Sequence, residues 1–106
     1  MAATNSGTSL IVRAAMRDAR NVPTTPLALT YLIRCLTTGT VIRPTTVLAP
    51  AQQVDIFVSS SENRVLRNSN AFEDRRLEVT ASYGDNDLLV GTFDWQVINT
   101  TKGTQL

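Results

Sequence analysis

The chain has 106 residues with 10 Lys+Arg and 9 Asp+Glu, a net charge of +1, and its length suits one domain of roughly 100 to 150 residues. A near-neutral chain carries no overall field to gather nucleic acid or an anionic membrane surface, and 42% apolar against 18% charged residues excludes a disordered polyelectrolyte. No apolar run approaches the roughly 20 residues of a membrane helix, and MAATNSGTSL lacks the basic region and apolar block of a secretory signal, so the chain is expected to be made and kept in a cytoplasm unless an assembly carries it out.

Fifteen Thr and ten Val against five Gly and four Pro make a β-rich inventory, because β-branched side chains prefer the pleated surface of a strand. Residues 1–8 are small and polar and read as an N-terminal arm without a core of its own. Alternation begins at Leu10, with Leu10, Val12, Ala14 and Met16 on one face and Ile11, Arg13, Ala15 and Arg17 on the other, the period of a half-buried strand. Pro23 and Pro26 break it, since neither can donate to a ladder. Leu27, Leu29, Tyr31, Ile33 and Cys35 form the next inward face, and Thr38-Gly39 offers a turn into a third strand near 40–48. Pro44 marks that strand as an edge or a bulge.

Val54, Ile56 and Val58 face inward on a fourth strand that turns Phe57 outward. Ser59 and Glu62 then have capping-box spacing, which predicts a helix of one or two turns through Arg64–Arg67. The clearest strand spans 75–83, with Leu77, Val79, Ala81 and Tyr83 on one side, and Gly84-Asp85-Asn86-Asp87 has the chemistry of a hairpin turn. A return strand from about Leu88 to Ile98 turns Leu89, Phe93, Trp95 and Val97 inward. Six strands and a short helical crossover predict an all-β chain: an antiparallel β-sandwich, immunoglobulin-like or fibronectin-III-like, over residues 9–99, with flexible terminal arms at 1–8 and 100–106. A small barrel is the alternative. One cysteine cannot make an inter-sheet disulfide, so Trp95 and Tyr83 must help fill the core.

With no histidine, the commonest general base and transition-metal ligand is missing. Cys35 lies on an inward face, where a thiol acts as a small hydrophobe, and a nucleophilic role would lack its base. No phosphate-cradling glycine motif occurs. Asp85, Asp87 and Asp94 could offer oxygens to calcium, but their spacing completes no binding loop and Asp is a common turn former. The expectation is therefore a non-enzyme with no catalytic residue, cofactor, metal or small-molecule substrate. Arg64, Arg67, Arg75 and Arg76 form a local basic cluster suited to carboxylate or phosphate contacts, yet Glu62, Glu73, Asp74 and Glu78 interleave it, which favours ion pairs over specific nucleic-acid binding. Ile11, Leu32, Leu36, Phe57, Leu88, Val90 and Ile98 are left on outer faces, and gathered on one sheet they would form an interface patch.

The runs TPLALTYLIRCLTTGTVI, APAQQVDIFVSSSENRVL and RRLEVTASYGDNDLLVGTFDWQVIN resemble small structural proteins of tailed bacteriophages and prophages across about residues 24–99. The resemblance rests on Thr25, Pro26, Tyr31, Ile33, Thr38, Gly39, Thr40, Asn63, Tyr83, Gly84 and Asn99, which are turn and core positions. It implies an immunoglobulin-like virion component, assembled in the host cytoplasm, that decorates a capsid or joins a head-tail structure. Its partners would be other virion proteins and copies of itself. Leu32, Leu36 and Phe57 are the expected face contacts, with Arg64, Arg67, Arg75 and Arg76 as polar fastenings. A carbohydrate-binding or host-adhesion module is the alternative function.

Overall fold

Seven strands account for the regular structure of a computed structural model that describes residues 2–100. They are β1 (Ala2–Asn5), β2 (Leu10–Ala15), β3 (Ala28–Cys35), β4 (Val41–Leu48), β5 (Gln53–Val58), β6 (Phe72–Gly84) and β7 (Asp87–Ile98). Five form one sheet in the order β1-β7-β6-β3-β4, and β2 pairs with β5 in a second sheet. All pairings are antiparallel except that of β1 with β7, which is parallel. The molecule is elongated, 53 × 21 × 21 Å, because β6 and β7 form one long hairpin of 13 and 12 residues.

Alternation builds the core. Val12, Met16, Ile56 and Val58 project from the small sheet onto Leu29, Tyr31, Ile33, Leu77, Val79, Ala81, Trp95 and Val97 of the large one, and all are buried. The fold is thus all-β, with two sheets facing one another across a shared apolar layer. β2, β3, β5 and β6 turn to the core the face that their alternation predicts, and β7 does so at Trp95 and Val97. The small sheet is nevertheless too short to cover the large one. Leu27, Leu89 and Phe93, all expected inward, stay 73%, 39% and 37% exposed.

No helix occurs among the described residues. Ser59 and Glu62 do make the reciprocal capping box: the Ser59 N–H donates to Glu62 Oε1 at 3.0 Å, and the Glu62 N–H donates to Ser59 Oγ at 3.2 Å. One turn follows, closed by the Asn63 N–H on the Ser59 carbonyl at 3.0 Å. It stops because the next donors are taken elsewhere: the Val65 N–H by Ser6 Oγ, and the Leu66 and Arg67 N–H groups by the Glu73 carboxylate. A helix needs those donors for its own carbonyls.

The expected N-terminal arm is also corrected in part. Residues 2–5 are a seventh strand, with Ala2 opposite Trp95 and Asn5 opposite Ile98. Their short polar side chains carry no periodic signal, and the segment is held by backbone pairing together with the Asn63 amide, which donates to Thr4 Oγ1 and to the Thr8 carbonyl. Of the expected C-terminal tail, residues 101–106 lie outside the described residues.

The turns follow the sequence. Asn86 takes positive φ, 59°, in the β6–β7 turn, and Gly39 takes 76° in the β3–β4 turn, a region that Gly and Asn enter at least cost. Pro44 falls on β4, an edge strand whose pairing with β3 slips register between Tyr31 and Ile33.

Candidate functional site

A buried polar cluster lies where β3, β6 and β7 meet the loop between β5 and β6. Glu73 and Arg75 point from β6 into the interior, and both are fully buried. Arg75 donates to Glu73 at 2.9 Å and to the Arg64 carbonyl at 2.6 Å, and it approaches Cys35 Sγ at 3.5 Å. Glu73 also accepts the Leu66 and Arg67 N–H groups and the Asn70 amide. Burial pushes its pKa upward, but hydrogen bonds from Leu66, Asn70, Arg67 and Arg75 outweigh it and hold the carboxyl below its usual range. Beside this pair, Asn63 Oδ1 accepts the Trp95 indole N–H at 2.8 Å. The cluster pins an irregular loop to the sheet.

Arg75 is therefore not the surface fastening expected of it. It follows the inward phase of Leu77 and Val79, and its charge is neutralised internally by Glu73. Arg64 and Arg67 are exposed in the loop, and their backbones serve the buried pair. Arg76 lies on the outer face in a bidentate bond to Asp94, both contacts at 2.8 Å. Leu32 is half-buried on that same face opposite Glu78, and Leu36 is exposed just past β3. Phe57 is 58% exposed on the other sheet, directly opposite Ile11. Cys35 is buried and free. Asp94 is committed to Arg76, and no group of three or more metal-ligating side chains forms among the described residues.

The expected apolar patch is divided between the sheets. Ile11 and Phe57 form one small pair on the β2–β5 face. On the large sheet, cross-strand rows run Leu88–Ser82–Ala28, then Val90–Thr80–Thr30–Val47, then Thr92–Glu78–Leu32, then Asp94–Arg76–Arg34. The far end closes with Ile98 opposite Phe72. A charged band thus separates two apolar ends. Comparison with family models, with curated proteins and with solved structures gives no match. No helix among the described residues is long and apolar enough to cross a membrane.

The residues expected inward but left exposed, Leu27, Leu89 and Phe93, lie at the hairpin end. A groove of about 240 Å³ opens there between β2 and β7, walled by Val12–Met16 on one side and by Leu89, Gly91 and Phe93 on the other, over a floor of Leu77, Val79 and Ala81. Phe93 stacks on Trp95 with ring centroids 5.7 Å apart, so its ring closes the inner end of the groove. Among the described residues both bounding strands are edges: β2 pairs only with β5, and β1 covers β7 only from Trp95 to Ile98. The signal available in the sequence was Leu88–Phe93, six residues without a charge or proline.

Proposed function

We propose that this protein is a non-catalytic structural module of a bacteriophage virion that works by packing against copies of itself or neighbouring virion proteins. The observation that carries the reading is the surface: Ile11, Phe57, Val47, Leu88 and Val90 are all more than half exposed, on both sheets of a small domain. Large apolar side chains left outside in pairs and rows are what protein interfaces cover. An immunoglobulin-like identity is part of the proposal. In it β3, β6 and β7 take the places of strands C, F and G of that fold, β2 and β5 those of B and E, and β4 that of the extra C′ strand of variable domains. The phage resemblance of the three sequence runs supplies the address.

The test is Phe57→Asp. Because the ring is 58% exposed and its one cross-strand partner is Ile11, the variant keeps its β-type circular dichroism and fails to enter particles. Normal incorporation would remove that face from the interface. A glycan-binding module draws less support, because Trp95 and Tyr31 are buried and the exposed rings Phe57 and Phe72 lie on different sheets.

A further inference from the structure

The free edge of β7 carries the inference. Natural sheet edges are blunted by charges, proline, bulges or a covering element, yet Leu88–Phe93 has none of these among the described residues, and it lies alongside an apolar groove. The groove has a gap in its wall: a Cβ added at Gly91 would meet nothing within 4 Å. An occupant must therefore supply backbone donors and acceptors and one bulky apolar side chain facing Gly91.

We propose that this edge pairs with the same edge of a second copy, antiparallel about a twofold axis through Val90. The proposal rests on the packing-module reading and names one of its interfaces. A twofold axis perpendicular to a sheet keeps each residue on its own face, so only pairings between residues of like parity are open. With Val90 opposite the partner's Val90, Leu89 faces the partner's Gly91 and Gly91 faces the partner's Leu89, so each leucine fills the other copy's gap. Leu88 then faces the partner's Thr92 on the outer surface. The partner's Asp87 is set opposite Phe93, which is 37% exposed, and no two acids oppose. Neighbouring registers fail. Moving two residues one way places the partner's Asp87 against Trp95, where Ala2 of β1 already pairs. Moving two the other way opposes the two Leu89 side chains and points an aspartate into the gap at Gly91. The product is a continuous ten-stranded sheet with both small sheets on one side.

Cysteine cross-linking reads this register. Directly opposite residues of an antiparallel pair have Cα atoms about 4.5–5.5 Å apart, within disulfide range, and the native Cys35 is buried and silent. Under mild oxidation Val90→Cys should form a covalent dimer at least about tenfold faster than Leu88→Cys or Thr92→Cys alone, since only a self-opposed position meets its own copy. Mixing those last two variants should restore the fast reaction. Val90→Lys, which sets like charges face to face, should weaken dimerisation in sedimentation by at least about tenfold with unchanged circular dichroism. Equal rates for the three single variants, or a wild-type monomer at every concentration, would overturn the proposal. So would dimerisation that appears only after residues 101–106 are removed. Val90→Lys chains that still enter particles would overturn this interface alone and leave the packing reading standing on other contacts.

Discussion

Glu73 and Arg75 show how much of this fold rests on one ion pair. Removing one partner of a buried pair strands the other charge, at a cost of about 3–5 kcal/mol, a large share of the roughly 5–15 kcal/mol that stabilises a domain. Glu73→Gln should therefore lower the urea midpoint sharply, whereas Arg76→Gln, which breaks the part-exposed pair with Asp94, should cost no more than about 1 kcal/mol. The pH dependence has a definite sign. Glu73, Glu62, Asp94, Asp55 and Asp18 all have folded pKa values below their ordinary ones. A lowered carboxyl pKa contributes stability that is present above the unfolded value and is lost as pH falls through the folded one. Thermal unfolding followed by Trp95 fluorescence should thus show a plateau near neutrality and a decline below about pH 5. At Asn63, loss of the amide frees the buried Trp95 N–H and the Thr8 carbonyl, so Asn63→Ala should destabilise by about 1–3 kcal/mol.

Strands were legible in proportion to their alternation. β2, β3, β5 and β6 each bury the predicted face, β7 buries it only at Trp95 and Val97, and the β6–β7 turn was readable from Gly84 to Asp87 because its residues tolerate positive φ. β1 was not legible: its ladder uses backbone groups that every sequence possesses. The helix expectation failed for a related reason. The capping box is local and formed as predicted, but whether a helix continues beyond it depends on distant competitors, here Ser6 and Glu73, that no local motif announces. Arg75 was misread because a charge on a strand's inward phase was assigned outward on chemistry alone, against the periodicity that placed it beside Leu77. In the β3–β4 turn, Gly39→Ala should lower the unfolding free energy in equilibrium denaturation by about 1 kcal/mol, since a Cβ there meets no atom within 4 Å and only the φ of 76° opposes it.

At the scale of the whole molecule, the decisive property is a mismatch between two sheets. Two six-residue strands cannot cover a hairpin of 13 and 12 residues, so one end of the large sheet keeps apolar side chains and an unpaired backbone edge in the open. Composition made an all-β domain readable. It could not indicate where contact occurs, because coverage depends on how far one sheet extends over another, and strand lengths alone do not fix that. In the proposed function, the exposed pair Ile11–Phe57, the Leu88–Val90 end and the β7 edge are the contact surfaces, and symmetric assembly would multiply weak contacts of that kind. The most direct measurement is the mass of the purified protein in solution, followed by sedimentation across concentration, combined with its detection in purified phage particles. Concentration-dependent association and presence in particles in many copies are the predicted results; a stable monomer that is absent from particles would contradict the account.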